Sequence, residues 1–495
     1  MYNPAPATVE CIETHASVVF LAGDLAYKVK QAVKYPFLDF STLENRYAAL
    51  RNELRLNRRT APQLYREVVP ITKADGGFRF GGDEEPVEWA LVMRRFDQGS
   101  LLDRLAGEGE LALEAMPPLA GAIARLHAGA DRILTEAHAV RPLAGIIAEH
   151  EQVLAENADV FPPEAAALLA ERTRAAFDTL SPLLRARARG GYVRHCHGDL
   201  HLRNIVEIDG APVLFDALEF DDSLATIDVL YDLAFLLMDL GKRGLASHAN
   251  AVLNAYLDAA DAGNLVGLAA LPLFLSLRAM IRAKVELLRA RQSPTRDTAD
   301  TRKEIRAYFD LACAYLAPAR PRLIAVGGLS GSGKSTVARA FAPELSPFPG
   351  AVLVRSDAAR KRLFGVTPEA RLPASAYTQE VSDLVYALCR KRAVLALEAG
   401  WPVIIDAVHA KPEERAAVSA LAAEHDAAFT GLWLDVPPEV MRARVTQRIG
   451  DVSDATPQVV DAQLAYDLGT MDFDRIDASD SVEDVAARCL DRIGA

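Results

Sequence analysis

Eight consecutive residues, Gly328-Leu329-Ser330-Gly331-Ser332-Gly333-Lys334-Ser335, have the composition of a loop built to hold phosphate. They fit the spacing G-x-x-x-x-G-K-[ST]. Glycines at 328, 331 and 333 let backbone N–H groups turn inward around phosphate oxygens, where Cβ atoms would stand in the way. Lys334 brings a positive charge to the terminal phosphates, and Ser335 a hydroxyl for Mg²⁺. Ser330, Ser332 and Thr336 join the same nucleotide-binding set. The flanks agree with this chemistry. Arg322 to Val326 reads as a buried strand and Ser335 to Phe341 as a helix start, which sets the phosphate at a helix N-terminus. A Gly/Ser linker matching by accident would lack those flanks.

A second set lies upstream. His197-Gly198-Asp199-Leu200-His201-Leu202-Arg203-Asn204 has the spacing H-x-D-x-x-x-x-N, and Asp216 follows at the end of a strand-like run. In phosphoryl transfer these types divide the work. Asp199 accepts a proton from the attacking hydroxyl or orients it, while Asn204 and Asp216 hold Mg²⁺ against the ATP phosphates. The same chemistry demands a lysine on an upstream strand, paired with a helix glutamate. Ala26-Tyr27-Lys28 has the required spacing, and Lys30 lies on the same strand face, so either lysine serves. Glu53, ahead of Glu44, is the glutamate candidate. Trp89 to Phe96 is the segment expected to receive adenine. His195, His197 and His201 fit no zinc spacing.

On these residues, and on Asp228-Val229-Leu230-Tyr231-Asp232-Leu233-Ala234, positions 1–316 resemble the aminoglycoside-phosphotransferase-like branch of the protein-kinase-like fold. The resemblance implies an α+β bilobal domain, with a small lobe over about 1–95 and a large lobe over about 96–316. Two departures stand out. Asp216 is followed by Ala217-Leu218-Glu219 rather than Phe-Gly, and no Gly-rich loop precedes Lys28. The second points away from protein kinases and toward small-molecule kinases.

Beyond Ala317-Pro318-Ala319-Arg320-Pro321, which reads as a linker, strands alternate with helices as in a parallel sheet covered on both faces. The run Val352 to Asp357 reads as a strand ending in an acid, with Arg360 one turn on. Asp357 could activate an acceptor hydroxyl and Arg360 steady a phosphate. Asp406 ends another strand and is a candidate for Mg²⁺ or water. Arg444 and Arg448 fall on one helix face, as in a lid over the γ-phosphate. Residues 322–475 resemble the polynucleotide-kinase-like and zeta-toxin-like small P-loop kinases. That implies an α/β P-loop NTPase fold over 322–495, with ATP and Mg²⁺ as cofactors.

Several elements must position these groups. Strands at 17–21 and 25–30 join through Ala22-Gly23-Asp24; Ser41-Thr42-Leu43-Glu44 caps a helix to about Arg59; a hairpin turns near Asp75-Gly76-Gly77. From about 100 to 316 the pattern is mostly helical. A net charge of −12 argues against general nucleic-acid affinity without excluding a local basic groove. Five scattered cysteines argue for a reducing cytoplasm. The apolar run near 265–277 is interrupted by Pro272 and reads as core rather than membrane helix. The leading reading is a cytoplasmic phosphotransferase with two ATP sites, acting on a hydroxyl of a small molecule such as a sugar, an aminoglycoside-like compound or a nucleotide-like one. Two others stay open: a single active P-loop kinase with a regulatory or substrate-binding N-domain, and an ATP-hydrolysing switch that signals to a partner. Oligomeric state is not legible.

Overall fold

The structure is a computed structural model that describes residues 9–14, 16–35, 38–74, 76–292, 298–367, 370–447 and 453–494. The chain divides into two compact units, Met1–Ala148 with Ser181–Asp239, and Glu149–Leu180 with Leu240–Ala495. The N-terminal part has the protein-kinase-like α+β fold and the C-terminal part the α/β P-loop NTPase fold.

The first unit opens with strands β1 (Val9–Glu13), β2 (Ser17–Ala22) and β3 (Leu25–Lys30), then helix α1 (Leu43–Asn57), then β4 (Tyr65–Ala74), β5 (Gly77–Phe80) and β6 (Pro86–Arg94). They form an antiparallel sheet in the order β1-β2-β3-β6-β4-β5. Gly23, at φ +59°, makes the tight β2–β3 turn possible. Strand β1 has no counterpart in the sequence reading; every residue of it is exposed, so no alternation announces it. The cap of α1 also differs from expectation. Thr42 rather than Ser41 is the N-cap, and its hydroxyl accepts from the Asn45 N–H. Asp75, at the expected hairpin turn, lies outside the described residues. Helix α1 buries Leu50 and Leu54 against Leu64, Tyr65, Leu91, Val206 and Val213, which ties the sheet to the loop chemistry downstream. After α2 (Met116–Gly129) come β7 (Val193–His195), β8 (Ile205–Ile208), β9 (Ala211–Leu214), β10 (Thr226–Asp228) and α3 (Val229–Lys242). Both β7–β10 and β8–β9 are short antiparallel ladders; the first brackets the segment from His197 to Asp216 and the second lies within it.

The second unit contains helices α4 (Ala246–Ala259), α5 (Leu271–Gln292) and α6 (Ala299–Tyr315), then an alternating series. That series is β11 (Arg322–Gly327), α7 (Lys334–Phe341), β12 (Val352–Arg355), α8 (Ser356–Leu363), α9 (Gln379–Glu398), β13 (Val403–Asp406), α10 (Pro412–Glu424), β14 (Ala428–Asp435), α11 (Pro438–Gln447), α12 (Pro457–Leu464), β15 (Asp474–Asp477) and α13 (Val482–Ile493). The sheet is parallel, in the order β12-β13-β11-β14-β15. Leu323, Ile324, Ala325 and Val326 are all fully buried, as a strand covered on both faces requires. The apolar run is core, as its sequence suggests, but Pro272 does not break the helix it belongs to. Pro272 is the second residue of α5, where its missing N–H costs nothing, and Gly263–Gln292 is long and apolar enough to cross a membrane. Most of that stretch is buried inside the structure, so it serves as core. All five cysteines are free thiols.

His150 in this unit is buried, its Nε2 has no hydrogen-bond partner among the described residues, and desolvation together with Lys284 holds its pKa down at about 3. The unfolded chain takes up this proton near pH 6.5 while the folded one does not. Stability should therefore fall as pH drops below 6.5, by about 1.4 kcal/mol per pH unit for this group. Urea unfolding at pH 7 and pH 5 checks this, and His150→Phe should flatten the dependence.

Candidate functional site

Strand alternation puts Lys28 and Lys30 on one face of β3, and helix α1 presents Glu53 to both. Lys28 Nζ lies 2.7 Å from Glu53 Oε1 and 2.8 Å from Asp216 Oδ1. Lys30 Nζ lies 2.7 Å from Glu53 Oε2 and also reaches Glu219. Burial alone would lower both lysine pKa values, but the carboxylates win. Asp216, Glu53 and Glu219 raise Lys28 well above its ordinary value, and Glu53 and Glu219 raise Lys30. Desolvation works against ionised Asp216 too, yet Lys28 outweighs it and holds the carboxyl below its usual range. Glu219 goes the other way: desolvation raises it despite Lys30. Glu44 is exposed in the first turn of α1.

Asp216 has φ +59°, a strained backbone for a non-glycine residue. Two contacts hold it there: its N–H donates to Tyr65 Oη at 3.1 Å, and the next N–H, of Ala217, donates to Asn57 Oδ1 at 2.9 Å. Asn204 Nδ2 donates to both the backbone oxygen and Oδ2 of Asp199, each at 2.9 Å. Asp199 and Asp216 are close enough for the charge of the first to oppose ionisation of the second.

The loop carrying Asp199 is fixed from below by Asp232, a fully buried carboxylate on α3. It accepts from the backbone N–H groups of His197 at 3.1 Å and Gly198 at 2.9 Å, and meets His127 Nε2 at 3.0 Å. The signal for this residue was present in the sequence as an acid inside the otherwise apolar run Val229–Leu237. Such a group must find partners when buried. His127, Cys196 and Asp232 bring potential ligand atoms within 4.8 Å of one another. Burial keeps the Cys196 thiol protonated, and Asp232 already serves two N–H donors, so the cluster has the chemistry of a polar core rather than a metal site. A cavity of about 700 Å³ opens beside Arg95 and Phe96 at the end of β6.

In the second unit the loop from Gly328 to Ser335 joins β11 to α7. Gly328, Gly331 and Gly333 have φ of +140°, +86° and +93°. A Cβ at Gly331 would lie 2.6 Å from the Met441 backbone oxygen, so this glycine also lets α11 approach. Ser332 Oγ is buried without a hydrogen-bond partner among the described residues. Lys334 Nζ donates to Leu329 O at 3.0 Å, and the Thr336 N–H to Gly333 O in the first turn of α7. Ser335 Oγ donates to Asp406 Oδ2, and Arg355 Nε lies 3.6 Å from the same oxygen. Ser330 N–H donates to Gln463 Oε1 on α12 at 2.7 Å, a contact no spacing suggested.

Asp357 stands elsewhere than the sequence reading put it. Strand β12 ends at Arg355, and Asp357 lies in the first turn of α8, where the helix N-terminus favours an acid. Desolvation and then the Asp406 charge raise its pKa, while a hydrogen bond from Ser453 opposes them. Arg360 is buried and engaged with protein. Its Nη1 donates to Ala376 O at 2.6 Å, its Nη2 to Ser382 Oγ at 3.3 Å, and its guanidinium lies over Tyr377. Arg444 donates to Ser332 O at 3.3 Å and Ala478 O at 3.1 Å, reaching the loop from α11. Arg448 lies outside the described residues.

Comparison with known proteins bears on both units. Residues 28–270 match the model of the phosphotransferase enzyme family, and residues 323–467 that of an AAA domain. An uncharacterized protein of Mycobacterium tuberculosis (strain H37Rv) is 31% identical over 478 residues, which cover 95% of this chain and 92% of the relative. One from Mycobacterium bovis matches to the same extent. Among solved structures, a choline/ethanolamine kinase family protein from Mesorhizobium loti is similar at 15% identity, covering 64% of this chain and 90% of that one, with a TM-score of 0.40. The APS kinase of Mycobacterium tuberculosis, in complex with AMPPNP and APS, is similar at 19% identity over 36% of this chain and 100% of that one, with a TM-score of 0.28.

The loop geometry yields a direct test. Gly331→Ala meets both a positive φ and the α11 backbone, whereas Gly365→Ala meets a positive φ with nothing within 4 Å. Gly365→Ala should cost about 1 kcal/mol of stability and Gly331→Ala at least twice that. Denaturant unfolding compares them, and only Gly331→Ala should also impair ATP binding.

Proposed function

We propose, for a chain that belongs to the family represented by these mycobacterial proteins and joins a phosphotransferase-family domain to a P-loop kinase domain, two separate sites of ATP-dependent phosphoryl transfer. Both domains are of kinase type, and the protein is an ATP-dependent phosphotransferase. The observation that carries the two-site reading is that each fold gathers its own set of phosphate-handling groups. In the first, residues as far apart as Lys28 and Asp216 meet at 2.8 Å. In the second, Ser335 meets Asp406 beside the glycine loop.

In the first site Asp199 orients the acceptor hydroxyl and takes its proton. Asn204 holds the Asp199 carboxylate in place and, with Asp216, would hold Mg²⁺. Lys28 is the phosphate-binding lysine in this reading. It contacts Asp216 and keeps some exposure, while Lys30 is sealed between Glu53 and Glu219. Glu53 keeps Lys28 charged and aimed. In the second site the N–H groups of the loop and Lys334 bind the ATP phosphates, Arg444 braces the loop, and Asp357 serves as acceptor-side base. Arg360 acts by holding the 374–377 turn against α8. Mg²⁺, when bound, supplies charge neutralisation at the phosphate oxygens; Asn204 with Asp216, and Ser335 with Asp406, have the oxygen donors it prefers. Catalysis at both sites rests on positioning and preorganised charge. The acceptor is a hydroxyl of a small molecule, and the net charge of −12 disfavours a nucleic acid. The free cysteines are compatible with a cytoplasmic protein.

The test is phosphoryl transfer to a panel of small-molecule hydroxyls by the full chain. Lys334→Ala and Asp199→Ala should each remove a different part of the transfer. Loss of everything in Lys334→Ala with no loss in Asp199→Ala would leave one engine rather than two. ATP hydrolysis without any phosphorylated product would favour the switch.

Asp357→Asn should slow transfer at the second site by ~10²–10⁴ while leaving ATP binding largely intact. Because burial and Asp406 raise the Asp357 pKa, its base form is lost at higher pH than an ordinary carboxylate's. The acid limb of the rate profile at this site should therefore lie above pH 3.8, which a pH–rate series on the Lys334-dependent activity measures.

A further inference from the structure

Helix α4 lies within the segment that matches the phosphotransferase family, yet in the second unit it grips the acceptor-side element of the other domain. Asn250, Asn254 and Asp258 recur every four residues and so share one helix face. Strand β12 is an edge strand, so one row of its peptide groups lacks a strand partner. Asn254 supplies that partner. Its Oδ1 accepts from Leu353 N–H at 2.7 Å and its Nδ2 donates to Ala351 O at 3.0 Å, as a neighbouring peptide would. The buried Asn250 Nδ2 donates to Pro349 O at 3.0 Å and Ala351 O at 3.1 Å. One turn further along, Asp258 Oδ1 takes Arg362 Nη2 of α8 at 2.7 Å and Arg392 Nη2 of α9 at 3.2 Å. Arg362 Nη2 also donates to the Asp258 backbone oxygen and Arg392 Nη2 to that of Leu257, each at 3.2 Å. Near the start of this grip the Phe348 ring packs on Tyr315, and a Cβ at Gly241 would come within 2.7 Å of that ring. The grip thus holds the strand at its entry and the following helix at its exit, and Asp357 lies between them.

We propose that α4 is a built-in positioning element for the P-loop site, with Asn254 and Asp258 setting the β12–α8 corner, and with it Asp357, relative to the phosphate loop. This rests on the reading of Asp357 as the acceptor-side base. The P-loop site then depends on α4 for acceptor alignment but not for ATP binding, because among the described residues no hydrogen bond or ion pair joins Asn254 or Asp258 to the loop from Gly328 to Ser335.

The experiment uses the full chain with Asn254→Leu, Asp258→Ala and the conservative Asp258→Asn. Three quantities are read: Lys334-dependent ATP turnover with water as acceptor, affinity for a fluorescent ATP analogue, and amide exchange of residues 352–363 against 322–327. Asn254→Leu and Asp258→Ala should lower turnover ~10-fold or more at nearly unchanged nucleotide affinity. Exchange should rise in 352–363 only, and Asp258→Asn should recover most of the turnover. Unchanged turnover and exchange would overturn the proposal. So would a loss of turnover matched by equal loss of nucleotide affinity and by exchange rising in both segments, since α4 would then only support the fold. If Lys334→Ala itself leaves turnover unchanged, the phosphotransfer reading of this site fails; selective exchange in 352–363 still supports the grip, and uniform or absent change overturns it.

Discussion

The contact of Lys28 with both Glu53 and Asp216 is the constraint on which the N-terminal fold depends. A buried ammonium requires compensating charge, and here two lysines meet three carboxylates, Glu53, Asp216 and Glu219. One negative charge is left over, and Asp216, at 40% exposure, is the carboxylate with most access to solvent. An excess of negative charge at an accessible carboxylate suits a divalent cation. The surrounding architecture follows from keeping this cluster intact. Helix α1 must bury Leu50 and Leu54 to aim Glu53, and Tyr65 and Asn57 must hold the strained backbone at 216 and 217.

The C-terminal site reaches the same kind of chemistry by other means. In the proposed reading its ligand groups are mainly backbone N–H, and the loop's shape is set by glycines at positive φ rather than by side-chain charge. The side chains enter at the strand ends. Asp406 closes β13, meets Ser335, and adds its charge to the desolvation that raises the pKa of Asp357. Neighbouring carboxylates whose environments differ are a common way to separate a metal-facing role from a base role.

The sequence reveals those parts of the sites whose chemistry is local. The glycine loop and the His197–Asn204 segment announce themselves because each motif is complete within eight residues. Lys28 and Lys30 could not be separated, since strand period alone puts both on one face; only the placement of Glu219 and Asp216 distinguishes them. D-x-x-R suggests a phosphate ligand at Arg360 because it is a pattern of residue types, and the pattern says nothing of Ala376 and Ser382, which Arg360 contacts. Local pattern extends the strand to Asp357 because strand and helix propensities do not fix a boundary to within two residues. Strands β1 and β15 are not legible in the sequence: one is fully exposed and the other has a single buried residue, so neither shows the apolar signal of a core strand. The role of Asp232 and the grip of α4 depend on tertiary partners that no local pattern encodes.

Nucleotide stoichiometry tests the two-site account most directly. Equilibrium binding of a non-hydrolysable ATP analogue with Mg²⁺ to the full chain should give two nucleotides per chain. Lys334→Ala should remove one and Asp216→Ala the other. One nucleotide per wild-type chain, lost entirely in Lys334→Ala and unaffected by Asp216→Ala, would contradict it.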